Sequence, residues 1–159
     1  MKRLLYVRVL SALFLASLFL STPTLAPAQE TGYWRAASHT AKSITGDVAL
    51  TGEKISINFS TYWIAQIRSL TPAELGAAFG ADTNTPNGSG NLYRLSIPGD
   101  KRLLHKNTLC GGEDIQWLAT YSTGRTLQLA FFSTSHMPVL TPEALNNATN
   151  LCGVFEYQR

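Results

Sequence analysis

The chain has few cysteines and histidines, and this scarcity excludes several kinds of site. It contains two cysteines, Cys110 and Cys152, and three histidines, His39, His105 and His136. They are scattered singly, so the CxxC spacing of thiol redox centres and the HxH, HExxH or Cys–His spacing of zinc sites are missing. We therefore expect no metal site and no cofactor.

A sequence frame for a nucleophilic residue is also lacking. Ser89 stands between Gly88 and Gly90, which is not the GxSxG arrangement and follows no predicted strand. Glu113 and Asp114 are neighbours, and neighbours on a strand point to opposite faces, which suits a shared acid–base role poorly. The sequence predicts no catalytic residue. An envelope hydrolase or isomerase whose residues meet only in space stays the alternative.

An apolar run long enough to span a membrane is missing. Residues 9–20 are apolar, but this is about a dozen residues where a membrane-crossing helix needs roughly 20. Three basic residues precede the run and small residues follow it, as in a secretory signal peptide. We expect a signal peptide over residues 1–28, cleavage between Ala28 and Gln29, and a single domain over residues 29–159. An uncleaved N-terminal anchor is the alternative.

These features predict a periplasmic or secreted protein with no stable membrane insertion after cleavage. The predicted domain also lacks net charge. The whole chain has 13 Lys and Arg against 10 Asp and Glu, but three of the basic residues and none of the acidic ones lie in residues 1–28. Residues 29–159 are therefore neutral overall, which gives no reason to expect a nucleic acid or an acidic membrane as a partner.

One local excess of positive charge remains, in residues 94–106. Against a single acid, Asp100, this segment has the basic residues Arg94, Lys101, Arg102, His105 and Lys106. The cluster is the candidate ligand site of the sequence, for a phosphate, sulfate or carboxylate group. A solvated turn is the alternative.

The two cysteines are predicted to form a disulfide. Both lie beyond the predicted signal peptide and would reach an oxidising compartment, and two cysteines allow only the pairing Cys110–Cys152. Closing a loop of this length stabilises a fold by about 4 kcal/mol in the chain-entropy model.

Alternation of apolar and polar residues, typical of half-buried strands, recurs through the domain. It predicts about eight short strands, near residues 33–38, 44–51, 55–60, 62–68, 92–97, 116–121, 126–132 and 151–157. Gly52-Glu53, as a type II′ turn, and residues 122–125 join two hairpins. The second hairpin has apolar residues on both faces, so its strands are expected to be central. The runs are shorter and more polar outside than those of an outer-membrane barrel.

Two short helices are predicted from their start signals. Thr71, Pro72 and Glu74 are placed as a helix cap, a first helical residue and the carboxylate of a capping box. Thr141 and Pro142 repeat the cap and the proline. We predict a mostly β fold, a small antiparallel barrel or a strongly curved sheet, with these two helices. A duplicated hairpin–helix–strand unit is one interpretation of the recurrence; the other is that Thr-Pro helix starts are common.

Turn-forming and aromatic residues give two further expectations. Residues 80–91 lack apolar anchors, which predicts a mobile surface loop, with a ligand-covering lid as the alternative. Most aromatic side chains are expected to fill the core. Tyr62 and Trp63 are consecutive on a predicted strand and so face opposite sides, which leaves one of them exposed for binding.

Residues 104–111, 127–133 and 151–153 carry a resemblance. There the chain resembles small exported proteins of Gram-negative bacteria with no assigned activity, so the resemblance implies no functional residues. A tryptophan near the start of the domain, followed by short meandering strands, is similar to lipocalin-like barrels of the cell envelope. We expect a non-enzymatic periplasmic or secreted binding module for an unknown small ligand or an envelope protein. A structural accessory of the envelope is a further alternative.

Overall fold

The computed structural model describes residues 30–84 and 87–159, and over them the chain forms a closed, antiparallel, eight-stranded β-barrel. The strands follow the barrel in chain order: β1 (Gly32–Ala36), β2 (Val48–Leu50), β3 (Lys54–Ile57), β4 (Ser60–Ser69), β5 (Asn91–Ile97), β6 (Ile115–Thr123), β7 (Thr126–Phe132) and β8 (Leu151–Gln158). The helical elements are α1 (Pro72–Phe79), α2 (Pro142–Asn146), a π-helical turn (Ala41–Thr45) and a 3₁₀ turn (Leu104–Lys106). The predicted fold class is confirmed.

The first and last strands close the barrel with a short ladder. Each strand pairs with its neighbour in sequence, and β1 also pairs with β8 through Arg35↔Gln158 and Ala36↔Tyr157. The main-chain N–H of Ala37 adds a bond of 2.9 Å to the carbonyl of Glu156. We call this line of contact the β1/β8 seam.

The barrel interior is filled by side chains. Alternate residues of the strands point inward, and the innermost of them are at most 2% exposed: Trp34, Val48, Leu50, Ile55, Ile57, Leu118, Leu127, Leu129, Phe131, Phe155 and Tyr157. Because these side chains leave almost no surface accessible to water, the interior resembles a packed protein core. It does not resemble the open lumen of a barrel that holds a ligand.

Both ends of the barrel are covered. At the end where β1 begins, which we call the lower end, the Glu30 carboxylate accepts hydrogen bonds from the hydroxyls of Thr120 and Tyr93, the latter at 2.8 Å. Burial and the nearby Glu30 carboxylate raise the pKa of Tyr93. At the opposite, upper end the π-helical turn lies against the 3₁₀ turn, and Asn107 Nδ2 donates to the carbonyl of Ser43 at 3.0 Å.

The two helices cover one outer side of the barrel. Their leucines pack in a second core with the outward-facing residues of β5, β6 and β7, among them Leu92, Trp117, Ala119, Tyr121, Ala130 and Phe132. The expectation that the hairpin β6–β7 is central is therefore correct, because both of its faces are buried. The outer side formed by β1 to β4 has no such cover from α1 or α2.

Both helices begin as predicted. Thr71 Oγ1 accepts a bond from the Glu74 N–H at 3.3 Å, and Glu74 Oε2 accepts one from the Thr71 N–H at 2.9 Å, which completes the capping box. The Arg68 guanidinium also bonds Glu74 and is the main cause of the lowering of its pKa to about 2. Thr141 Oγ1 accepts from the Ala144 N–H at 3.3 Å.

Loss of either cap should cost about 1 kcal/mol of stability, because one helix N–H then loses its partner. We expect Thr71→Ala and Thr141→Ala to lower the free energy of unfolding by similar amounts, measured by urea denaturation. Thr71→Ser keeps the hydroxyl acceptor and is the control. Unchanged midpoints in both alanine variants would show that these threonines do not stabilise the helices.

Several strand predictions are wrong in detail. The predicted strand over residues 44–51 begins only at Val48, because the π-helical turn occupies Ala41–Thr45 and is closed by a 2.8 Å bond from the Gly46 N–H to the Ala41 carbonyl. Gly52 lacks the positive φ that a type II′ turn requires, although β2 and β3 do form the predicted hairpin.

The predicted loop over residues 80–91 is partly fixed to the barrel. Ser89 and Ser122 exchange two main-chain hydrogen bonds of 2.8 and 3.1 Å, which extends the sheet beyond β5. Glycine is needed beside this bridge, since a Cβ on Gly90 would lie 2.1 Å from the carbonyl oxygen of Thr120. The expectation of a loop without anchors is therefore wrong for residues 88–90.

The predicted disulfide is present in the structure. It joins Cys110, in the β5–β6 connection, to Cys152 on β8, with the two Cα atoms 4.8 Å apart. Gly111 and Gly112 adopt positive φ and turn the chain directly after Cys110, so they serve the disulfide connection.

The two halves of the domain share the order hairpin, helix, strand, but the residues that a duplication would align do not occupy matching positions. Both helices follow a hairpin and precede a strand. At the offset that aligns the two capping threonines, however, Asn58 and Phe59 of a turn would match Gln128 and Leu129 within β7.

The signal peptide over residues 1–28 and its cleavage site between Ala28 and Gln29 lie outside the described residues and stay predictions. Among the described residues, no helix combines the length and the apolar character needed to cross a bilayer.

Candidate binding face

The cationic segment predicted as a ligand site divides between two places. Arg94 lies on the outer side of β5, where its guanidinium donates to Gln116 Oε1 at 2.6 Å and lies 4.8 Å from the ring centre of Trp117. Four further basic residues lie in the β5–β6 connection: Lys101, Arg102, His105 and Lys106. Within the described residues no hydrogen bond joins Arg94 to those four. The anion site on these five residues stays a prediction.

An enzyme would be expected to bring at least two of Glu113, Asp114, His105 and His136 together, and within the described residues no hydrogen bond joins any two of them. Asp114 Oδ1 accepts from the Gly99 N–H at 2.8 Å, whereas His136 lies beside α2 and His105 is exposed in the 3₁₀ turn. In residues 30–84 and 87–159, no three His, Cys, Asp or Glu side chains are grouped so that they could hold a metal ion. The alternative of an enzyme gains no pair of catalytic residues from this set.

Three large aromatic side chains lie exposed on the outer side of β1 to β4. Trp63 is 66% exposed, Tyr33 is 59% exposed and Phe59 is fully exposed. The expectation that Tyr62 and Trp63 face opposite sides is confirmed, since Tyr62 packs against the interior core. We call the surface that carries Tyr33, Phe59 and Trp63 the aromatic face.

A groove of about 340 Å³ lies on the part of this face that carries Tyr33 and Phe59, whereas Trp63 borders a separate groove beside Glu53. Strand register places Tyr33 beside Ala49, and Ala49 beside Ser56, so small side chains lie between the aromatic ones. Tyr33 and Phe59 line the groove, which reaches Leu104 at the upper end. Small residues flanked by aromatic ones leave room for an apolar group of a partner.

One carboxylate lies in the groove. Asp47 accepts hydrogen bonds from the Tyr33 hydroxyl and from the Ala36 N–H, the second at 2.9 Å. The bond from Tyr33 is the main cause of the lowered pKa of Asp47, and the same bond raises the pKa of Tyr33. The bond therefore fixes the phenol ring of Tyr33 at the edge of the groove.

Trp63 is also held in place. Lys54 lies opposite Trp63 in the β3–β4 ladder, and its Nζ atom is 4.2 Å from the centre of the indole ring. Such cation–π contacts are worth about 0.5–1 kcal/mol at exposed sites. One face of the indole is thereby covered by Lys54, while most of the side chain stays accessible to a partner.

Phe59 occupies an unfavourable backbone conformation. It forms with Asn58 the two-residue turn between β3 and β4, and both residues have positive φ, 46° for Asn58 and 63° for Phe59. Asparagine followed by glycine is the favoured pair in such a turn, whereas a bulky residue at positive φ is strained. Because Phe59 is strained and its side chain is not buried, it does not stabilise the fold.

The sequence pattern predicts the wrong secondary structure for Phe59. Its alternation with Ile55 and Ile57 predicts a continuing strand, but the turn begins at Asn58. The absence of glycine from the turn removed the usual turn signal. Asn58 was the remaining clue, because asparagine tolerates positive φ.

Comparison with known proteins adds no further assignment. No family model, no curated protein sequence and no solved structure matches the chain.

Proposed function

We propose that the chain is an exported, non-enzymatic binding module that docks a protein partner through its aromatic face. The observation that carries this proposal is Phe59, which is fully exposed at the end of the β3–β4 hairpin and has a φ of 63°. The left-handed conformation costs roughly 1–2 kcal/mol for a residue with a Cβ. An exposed aromatic residue maintained at that cost favours a role in recognition.

The surroundings of Phe59 support an interface with a protein. Tyr33 and Trp63 are residue types that dominate binding energy at protein–protein interfaces, and both have their orientation restricted by a neighbouring side chain. Polar residues lie among them, such as Ser56, whose hydroxyl contacts that of Thr61 at 2.9 Å. Exposed aromatic residues are enriched at protein–protein interfaces, where hydrogen-bonding side chains accompany them.

The filled interior favours an external partner over a small ligand within the barrel. Leu127, Phe131 and Tyr157 are completely buried in the interior, where a ligand of a hollow barrel would lie. The architectural likeness to lipocalin-like barrels of the cell envelope stays a prediction. Export to the periplasm or the medium is part of this proposal and rests on the predicted signal peptide.

Replacing Phe59 by glycine should separate folding from binding. Glycine adopts positive φ without a steric penalty, so Phe59→Gly should raise the free energy of unfolding by about 1 kcal/mol, measured by urea denaturation. The same variant should lose the partner. A photo-crosslinking residue introduced at Thr61, an exposed residue of the same face that pairs with Ser56, reports the partner in intact cells, and its crosslinked product should disappear when Phe59→Gly is added.

Met137 supplies the control position. It is half exposed in the β7–β8 connection, away from the aromatic face, so the same crosslinking residue placed there should give no such product. Equal crosslinking from positions 61 and 137, or a Phe59→Gly variant that is less stable yet still bound, would contradict the proposal.

A further inference from the structure

A cationic groove of about 480 Å³ lies on the outer surface of the β1/β8 seam. Four basic side chains line it, Arg35 from β1, Lys42 from the π-helical turn, Arg125 from the β6–β7 turn and Arg159, against one acid, Glu156. The predicted domain is neutral overall, so this excess arises because barrel closure brings the four residues together. We call it the seam groove.

Two of the four cations are fixed by the chain itself. The Arg125 guanidinium donates two bonds to the main-chain oxygen of Arg159, at 2.7 and 3.0 Å. The Arg159 guanidinium lies 4.0 Å from the ring centre of Trp34 and donates to the carbonyl of Thr31. The bonds from Arg125 therefore hold one positive charge at the lower end of the groove, whereas the Arg159 guanidinium lies on the buried ring of Trp34.

The other two cations remain available. Arg35 and Lys42 form no ion pair with any residue of the described segments 30–84 and 87–159. Asp47 interacts with Arg35 electrostatically without an ion pair, and its carboxylate oxygens already accept bonds from Tyr33 and Ala36. Two unpaired basic groups in a groove that contains one carboxylate form a surface of net positive potential.

We infer that the seam groove binds an oxyanion of the phosphate class. Guanidinium groups match the planar edge of a phosphate oxygen pair, and an ammonium group adds a mobile point charge. Arg35, which pairs with Gln158 in the seam, and Lys42, from the π-helical turn at the upper end, line the same groove, so both can contact an anion bound there. The phosphate belongs either to a free phosphate compound or to a lipid headgroup.

Binding is tested with the oxidised exported protein and defined probes. Inorganic phosphate and pyrophosphate are titrated calorimetrically at low ionic strength, and vesicles of phosphatidylcholine with or without phosphatidylglycerol are assayed by cosedimentation. Arg35→Ala/Lys42→Ala should weaken binding by about tenfold or more, because two charge-assisted contacts are lost. Binding should also weaken as salt is added, because the groove is exposed.

The comparison variant is Arg102→Ala/Lys106→Ala, which removes the same charge from the cationic segment that the sequence predicts as an anion site. If the phosphate lies in the seam groove, this variant should change the affinity by less than about twofold, and a larger loss here than in Arg35→Ala/Lys42→Ala would place the phosphate on the β5–β6 connection and overturn the inference. Binding of soluble phosphates alone identifies a free phosphate compound, and binding of anionic vesicles alone identifies a lipid headgroup. Either result supports the inference if the Arg35→Ala/Lys42→Ala variant weakens that binding by the expected factor. Absence of binding to every probe, or equal losses in the two double variants, overturns it. Because Phe59→Gly leaves the seam groove intact, phosphate binding in that variant separates this inference from the proposed aromatic face.

Discussion

Trp34→Ala should lower the free energy of unfolding by about 3–5 kcal/mol, the range for removing a large aromatic side chain from a core. Trp34 is completely buried, its indole N–H donates to the Glu30 carbonyl at 2.8 Å, and Arg159 lies on its ring. The substitution therefore opens a cavity and releases the contacts that join both ends of the domain. Urea denaturation followed by circular dichroism measures the change.

Trp63→Ala is the matched control, because it deletes the same side chain from an exposed position. Its effect on stability should stay within about 0.5 kcal/mol, apart from the lost contact with Lys54. If the two variants unfold at the same urea concentration, the Trp34 side chain is not buried in the barrel interior. Circular dichroism is preferred to fluorescence as the readout, since each variant removes a fluorophore.

Removing the disulfide should have an effect of similar size. The loop between Cys110 and Cys152 has a sequence separation of 42 and contains β6, β7 and α2. Closing a loop of this length lowers the conformational entropy of the unfolded chain and thereby stabilises the fold by about 4 kcal/mol in the chain-entropy model. The variant Cys110→Ser/Cys152→Ser should therefore melt roughly 10–20 °C below the oxidised protein in a thermal scan.

A reductant provides the control for this variant. Dithiothreitol should lower the melting temperature of the wild-type protein to that of the double serine variant and leave the variant unchanged. A variant with the same melting temperature as the oxidised wild-type protein would show that the disulfide adds no stability. A variant that responds to the reductant would show that the effect has another cause.

Much of the fold could be predicted because its determinants are local. Period-two alternation located the strands, and the two-sided apolar pattern of residues 116–132 correctly placed β6 and β7 at the centre of the sheet. The caps at Thr71 and Thr141 depend on residues within one helical turn, so their geometry was also accessible from the sequence.

The candidate sites were harder to predict from the sequence because they depend on pairing between strands that are distant in the chain. Ile55, Ile57 and Phe59 alternate alike in the sequence, and only the register of β3 on β4 makes Phe59 a turn residue. Arg35 and Arg159 stand at opposite ends of the domain, and no local charge pattern indicates that they line one groove. The sequence predicted a site in residues 94–106 because their basic residues lie close together along the chain, although Arg94 contacts Gln116 on the barrel wall and the other four lie in the β5–β6 connection.

The pairing of β1 with β8 also determines when the chain is able to fold. The ladder joins Arg35 to Gln158, so the loop that it closes contains nearly the whole domain. Such distant contacts are late and slow to form, since loop entropy must be lost before the contacts compensate for it. A chain emerging from the ribosome therefore has β1 with an unpaired edge until β8 has been synthesised. The closed barrel therefore forms only after the whole domain has been synthesised, which suits the proposed export, since a polypeptide is threaded unfolded through a membrane translocation channel.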